Sequence, residues 1–293
     1  MNMNFLRRLG AVCLAASAAL CLAACGGESE PDPHEGMAYV NTGANMEWIT
    51  PAEGVEVSRF TEEDFTSGSD GLPEYVGSDY DTRLGVDVSF YQGEIDWQAV
   101  ADSGVEFAMI RCGYRGSESG AIVADEQFEN NIQGALDAGL DVGVYFFSQS
   151  TGAIEAAEEA LFVLDLIDGY DVTMPVAFDW EPLEDSRASD IEREELTASA
   201  VVFCEMVKDA GYTPCVYLYR YIGYYEYLME RLGDYEIWVG APGGWPDFYY
   251  RHYLWQFSFT GSVDGVAGDV DLDMQFIPRP ADTEIAPPSA ATT

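Results

Sequence analysis

Short runs of β-branched and aromatic residues alternate with longer amphipathic stretches over residues 81–277. A short apolar run bounded by turn residues predicts a buried strand, and a longer run with helical spacing predicts an amphipathic helix. The predicted strands are Leu84–Phe90, Phe107–Tyr114, Val142–Ser148, Pro175–Glu181, Pro214–Tyr219, Glu236–Ala241, Tyr253–Ser258 and Val270–Phe276. The predicted helices are Ile95–Ser103, Asp125–Ala138, Ala153–Ile167, Ile191–Ala210 and Tyr224–Leu232.

The alternation of strand and helix predicts an α/β fold with parallel strand pairing. Eight strands in roughly 195 residues are the number expected for a closed barrel. An open doubly wound sheet is the alternative, but the Gly-rich phosphate loop of that fold is missing from the sequence after the first strand. Helical stretches are also missing after the last strands. We therefore predict an irregular, TIM-like (β/α) barrel without helices in that part.

The N-terminus carries an export signal. Met1–Cys25 contains Arg7 and Arg8, followed by the uncharged apolar run Leu9–Ala24. This run is too short for a permanent membrane span, and its end resembles a bacterial lipobox in which Cys25 would carry the lipid. We predict a lipoprotein signal peptide and an exported chain that contacts the outward face of the cell membrane through a lipid anchor only. An ordinary cleaved signal peptide is the alternative.

The segments that flank the predicted barrel are polar. Residues 26–80 are acidic and rich in Gly, Ser and Pro, so they predict a tether, with a short ordered piece near residues 46–65. Residues 278–293 are rich in Pro, Ala and Thr and predict a disordered tail. The catalytic domain is therefore expected at residues 81–277.

Composition excludes several classes of function. The 293 residues include 52 Asp and Glu but 13 Lys and Arg, which gives a formal net charge of −39. Binding to nucleic acid or directly to an anionic membrane surface requires the opposite balance. Two histidines argue against a multi-histidine zinc site. The odd number of cysteines beyond the signal allows one disulfide at most, and we interpret them as small buried side chains: Cys112, Cys204 and Cys215.

Acidic residues mark the ends of predicted strands, where functional groups of a parallel barrel lie. Asp179 and Glu181 end the fourth strand two positions apart, so both are expected to face the barrel mouth. Two neighbouring carboxyl groups cannot both ionise cheaply, and a protonated acid beside a carboxylate is what glycoside cleavage requires. A solvated acidic loop or a metal-binding pair would have the same sequence.

Further residues are expected at the same mouth. Asp87 lies in the first strand and Asp271 in the last, and these strands are neighbours in a closed barrel. Aromatic rings at similar positions are candidates for stacking on sugar rings, with core packing as the alternative. They are Tyr91, Tyr114, Tyr145, Trp180, Tyr217, Trp238 and Trp255.

Several ordered segments resemble glycoside hydrolase family 25, whose members are lysozymes (N-acetylmuramidases). The opening motif of that family resembles Gly85–Ser89, followed by Gln92-Gly93 and Ile95–Trp97. Later segments match in order as far as Val270–Leu272, so the resemblance covers roughly residues 84–277. It implies cleavage of the β-1,4 bond between N-acetylmuramic acid and N-acetylglucosamine in peptidoglycan, with net retention and without metal or cofactor.

The resemblance also implies residue roles. Glu181 corresponds to the general acid/base. Asp179 corresponds to the group that stabilises the oxocarbenium charge or orients the 2-acetamido group. Asp87 and Asp271 match the two other acids of the family, which position the substrate. The weaker candidates for substrate contact are Tyr145 and Gln256.

One departure from the family is Asp273, where asparagine often follows the Asp-Leu pair. A further negative charge there is expected to alter the pH optimum. Two other functions stay open. One is a chitinase-like or endo-N-acetylglucosaminidase-like glycosidase, because residues 179–181 also resemble the end of the chitinase motif, although its earlier acids are absent at positions 175–177. The other is a wall-binding lipoprotein without catalysis. We expect a monomer whose partner is the peptidoglycan glycan strand.

Overall fold

The computed structural model describes residues 32–280, and the compact unit within them begins at Gly36. The strands are β1 (Ala38–Asn41), β2 (Met46–Ile49), β3 (Phe65–Ser67), β4 (Pro73–Tyr75), β5 (Tyr80–Val88), β6 (Phe107–Arg115), β7 (Ile122–Ala124), β8 (Asp141–Ser148), β9 (Val176–Trp180), β10 (Pro214–Tyr219), β11 (Glu236–Gly240), β12 (Leu254–Gly261) and β13 (Val270–Pro278). The α-helices are α1 (Trp97–Asp102), α2 (Phe128–Asp137), α3 (Ala153–Ile167), α4 (Arg193–Asp209) and α5 (Arg220–Tyr225). Short 3-10 helices cover Glu62–Asp64, Phe90–Gln92 and Met229–Arg231.

Eight of these strands close into a barrel. Their order is β5, β6, β8, β9, β10, β11, β12 and β13, and β13 pairs back onto β5. The predicted α/β fold with a closed eight-stranded barrel is confirmed. Pairing is parallel from β5 through β12.

The prediction of parallel pairing is wrong at β13, which is antiparallel to both β12 and β5. The eight residues of the connection 262–269 contain no helix in the described chain. A parallel return would require a longer crossover, so the short connection turns the chain back as a hairpin.

Most predicted elements are present with shifted ends, and β10 and α3 have the predicted bounds. The predicted helix Tyr224–Leu232 is wrong, since α5 begins at Arg220 and a separate 3-10 turn follows. The buried Arg220 side chain forms an ion pair with Asp247 at the start of α5. This tertiary contact has no signature in the local hydrophobic pattern.

Alternate residues of the barrel strands fill two separate layers. One layer lies between the barrel and the helices. The other fills the barrel interior, where Phe107 and Met109 of β6 are fully buried. A Cβ atom at Gly85 would lie 2.2–2.5 Å from atoms of the Phe107 ring. Glycine on β5 therefore makes room for a large interior side chain.

We predicted a tether over residues 26–80, but this segment is folded from Gly36 onward. This part forms the hairpins β1–β2 and β3–β4. Val40 and Ile49 are buried, and the ring centroid of Phe60 lies 4.3 Å from that of Phe276 on β13. These apolar side chains are separated along a polar segment. They pack against the barrel and also against apolar neighbours in the same segment, as Phe60 does against Phe65, so no periodic pattern reveals them.

The predicted signal peptide, including Cys25, lies outside the described residues, as does the tail beyond residue 280. Among residues 32–280, no helix has both the length and the apolar character needed to cross a membrane. The three cysteines in the barrel domain are buried and free: Cys112, Cys204 and Cys215.

Candidate active site

A cavity of about 430 Å³ opens at the C-terminal ends of the parallel strands. All four predicted acids line it: Asp87, Asp179, Glu181 and Asp271. Strand register explains this placement, because Asp271 stands directly opposite Asp87 in the β13–β5 pair. On the other side of the barrel, Asp179 of β9 stands opposite Tyr217 of β10.

The end of β9 supplies two carboxyl groups in different surroundings. Asp179 is buried, and burial together with the negative charge of Glu181 raises its pKa well above the usual range, while Arg111 acts in the opposite direction. Glu181 is half-buried. Burial raises its pKa, a hydrogen bond with Tyr219 lowers it, and the charge of Asp271 raises it. The site can therefore hold a proton on a carboxyl group at neutral pH.

Gln256 of β12 joins the other two acids. Its Nε2 atom donates hydrogen bonds to Asp87 Oδ2 at 2.7 Å and Asp271 Oδ2 at 3.2 Å. Its Oε1 atom accepts one from the Tyr217 hydroxyl at 2.5 Å. Burial raises the pKa of Asp271 to about 6, and burial with the charges of Asp273 and Asp271 raises that of Asp87 well above its usual range.

Asp273 lies beneath this group and is fully buried. Its Oδ1 atom accepts a 2.7 Å hydrogen bond from Trp238 Nε1, and its carboxyl group also forms a hydrogen bond with the carboxyl group of Asp87. Burial raises its pKa to about 7. The additional acid noted in the sequence is therefore not part of the cavity wall but borders Asp87 from below.

The aromatic candidates separate into three groups. Tyr91 is 76% exposed at the cavity rim. Tyr145, Tyr217 and Trp238 are buried residues of the interior layer and line the cavity floor. The third group comprises the rings that do not line the cavity: Tyr114, Trp180 and Trp255.

The prediction that Trp180 contacts substrate is contradicted by its position. Trp180 is 3% exposed and packs in the layer between the barrel and the helices. Successive residues of a strand point to opposite faces. Because Asp179 and Glu181 face the cavity, the residue between them must face away from it.

Among the lining residues that were not predicted, Tyr219 and Arg111 interact with the carboxyl groups of the β9 end. Tyr219 follows Tyr217 by two positions on β10, so strand alternation could have identified it. Arg111 is a basic residue within the apolar strand β6, which is an unusual position for a charge. Its Nε atom donates a 2.8 Å hydrogen bond to the buried carboxylate of Asp125.

A closed α/β barrel with a protonatable carboxyl pair at its mouth is typical of glycoside hydrolases. The family model described as glycosyl hydrolases family 25 matches residues 86–266. This chain therefore belongs to glycoside hydrolase family 25, and the prediction of a glycoside hydrolase is confirmed at the level of the family.

Similar proteins include an autolytic lysozyme of Clostridium acetobutylicum, 27% identical over 190 residues, which cover 64% of this chain and 54% of that protein. Lysozyme M1 of Streptomyces globisporus is 26% identical over 203 residues, covering 64% and 65%. The chain thus spans about half the length of the first relative. A family 25 glycosyl hydrolase from Bacillus anthracis has a similar fold, with a TM-score of 0.55, 24% identity, and coverage of 67% of this chain and 89% of that one.

Proposed function

We propose that this protein hydrolyses the β-1,4 bond between N-acetylmuramic acid and N-acetylglucosamine in peptidoglycan, with net retention. The observation that carries the proposal is that Asp179 and Glu181, at the end of one strand, line one cavity with Asp87 and Asp271. Membership of family 25 and similarity to two proteins named as lysozymes support the substrate class.

In the proposed mechanism Glu181 is the general acid. Burial and the charge of Asp271 favour its protonated form, which donates the proton to the glycosidic oxygen as the bond to the sugar breaks. The same carboxylate then accepts a proton from the water that completes hydrolysis. Retention requires this exchange of roles between the two steps.

Asp179 is proposed as the anionic partner. Burial and the charge of Glu181 raise its pKa, but a proton held by Glu181 removes that charge and Arg111 acts against the shift. We therefore assign the shared proton to Glu181, and the Asp179 carboxylate either stabilises the oxocarbenium charge or orients the 2-acetamido group. Asp87 and Asp271, joined through Gln256, are proposed to position the sugar. The proposed stacking contacts are the cavity rings Tyr91, Tyr145, Tyr217 and Trp238.

We further propose an irregular TIM-like barrel for the fold, supported by helices α1–α5 between β5 and β11 and by the lack of a described helix after β11. The export signal and the lipobox at Cys25 support an outward-facing, lipid-anchored protein. Such an anchor would hold the enzyme near the wall despite a charge of −39, which gives no attraction to an anionic polymer. We propose that it acts as a monomer.

The first test is the substitution Glu181→Gln, with Glu184→Gln as the matched control. Glu184 is exposed in the same loop, three residues away. Loss of leaving-group protonation is expected to reduce the release of reducing ends from purified wall by about 10²–10⁴-fold. The control is expected to keep wild-type activity, and both variants should melt as the wild type does. Activity of Glu181→Gln within tenfold of the wild type would reject Glu181 as the acid.

A further inference from the structure

Arg111 is the one basic residue in the described lining of the cavity, which otherwise contains four carboxyl groups. Its side chain is held firmly. The guanidinium carbon lies 5.1 Å from the ring centroid of Phe90, 5.4 Å from that of Tyr91 and 5.6 Å from that of Tyr114. Arg111 is 8% exposed, so this cation is fixed within an aromatic frame beside the catalytic acids.

The hydrogen bonds of Arg111 leave donor capacity unused. Its Nε atom donates to Asp125 Oδ2, whereas Nη2 is buried and has no partner within residues 32–280. Asp125 is shared with the backbone, because Oδ2 also accepts from the Phe90 amide at 3.1 Å and Oδ1 accepts from the Gln127 amide at 2.9 Å. An unpaired buried donor is costly, and because Arg111 also lines the cavity, an acceptor on a bound ligand is a partner that would satisfy it.

Charge restricts what that ligand group can be. The carboxylates of the lining would repel a ligand substituent that is anionic or has strong hydrogen-bond acceptors. Within the described lining, Arg111 is the side chain that would attract such a substituent. A guanidinium has a planar set of donors that matches the two oxygens of a carboxylate and also accommodates a single carbonyl oxygen.

Resting on the proposed function, we infer that Arg111 binds the carbonyl oxygens of the 3-O-lactyl group of N-acetylmuramic acid. This substituent is what distinguishes muramic acid from N-acetylglucosamine. It is a carboxylate in peptide-free glycan and an amide carbonyl where a peptide stem is attached, and both accept hydrogen bonds from a guanidinium. Arg111 is therefore a specificity-determining residue that selects wall glycan over chitin-type glycan.

The test measures binding in the full chain carrying Glu181→Gln, so that no ligand is cleaved. Isothermal titration calorimetry compares three tetrasaccharides. The first alternates N-acetylglucosamine with N-acetylmuramic acid and has free lactyl carboxylates, the second is the same glycan with each lactyl group as the amide of alanine, and the third is chitotetraose. Each is titrated into the Glu181→Gln chain and into the same chain that also carries Arg111→Gln. Arg59→Gln is the control, because Arg59 is an exposed arginine whose side chain is 71% accessible.

Arg111→Gln is expected to weaken binding of the carboxylate glycan by about 10- to 100-fold, because a charge-assisted hydrogen bond is lost. A smaller loss is expected for the amide glycan, and chitotetraose affinity should stay within about twofold of the parent. Arg111→Lys keeps the charge and should retain more carboxylate affinity than the Gln variant. It also provides a second test if Arg111→Gln does not fold.

An equal loss for all three glycans would show that Arg111 merely supports Asp125 and the loop around Phe90, and would overturn the inference. Unchanged affinity for the carboxylate glycan would overturn it as well. The proposed function fails separately, since a wild-type chain that releases no reducing ends from purified wall refutes hydrolysis whatever the binding data show. If neither muramic acid glycan binds to the Glu181→Gln chain, both the proposed function and the inference about Arg111 are refuted.

Discussion

Asp273 is predicted to make the protein less stable as the pH rises. Its side chain is fully buried, and burial raises its pKa from 3.8 to about 7. That difference corresponds to a cost on the order of 4 kcal/mol for ionising the group in the folded state. The folded protein keeps a proton that the unfolded chain releases above about pH 4, so this stability is complete below pH 4 and is lost as the pH rises to about 7.

The substitution Asp273→Asn removes this dependence. The amide oxygen of asparagine can still accept the hydrogen bond from Trp238 Nε1, and the amide group carries no charge. We expect the variant to exceed the wild type in free energy of unfolding by about 2–4 kcal/mol at pH 8 and to differ little from it at pH 4. Because the charge of Asp273 raises the pKa of Asp87, the substitution should also lower the pKa of Asp87.

Urea denaturation of both proteins at pH 4, 6 and 8 measures the effect. The slope of unfolding free energy against pH is the informative quantity, since it reports the difference in bound protons between the two states. Parallel slopes for the variant and the wild type would show that Asp273 does not hold its proton in the folded protein.

Three further outcomes are expected. Phe60→Ala should reduce the free energy of unfolding by about 2–3 kcal/mol in thermal or urea denaturation, because the ring packs against Phe276, and an unchanged melting temperature would contradict a folded N-terminal segment. Gly85→Ala should cost about 1–3 kcal/mol through overlap with the Phe107 ring, and Phe107→Leu in the same chain should recover part of that loss; no destabilisation would refute the packing argument. Substrate affinity should change by less than about threefold between low and physiological salt, and a steep loss would mean that electrostatic capture matters.

The barrel and the position of its acids could be predicted because both follow from local patterns. Residues 142–147 of β8 are apolar throughout, as expected where both faces of a strand are covered, and helices separate most of the strands. Strand alternation then places Asp179 and Glu181 on the cavity side. The same alternation, applied consistently, would have placed Trp180 in the outer layer.

Other features depend on tertiary contacts that a single sequence does not display. The hairpins of the N-terminal segment are stabilised by a few separated side chains, such as Ile49 and Phe60, that pack against the distant barrel. Arg111 gains its place in the site through Asp125, fourteen positions away, and through the rings around it. Neither Asp125 nor these rings could be identified as partners of Arg111 from spacing in the sequence alone.

The proposed function depends on hydrolysis at the reducing side of N-acetylmuramic acid. Mass spectrometry of peptidoglycan digested by the wild-type protein, after borohydride reduction of the new ends, measures this property. We expect reduced N-acetylmuramic acid at those ends, and we expect none after digestion with the Glu181→Gln variant. Reduced N-acetylglucosamine at the new ends, or no new ends at all, would contradict the proposed function.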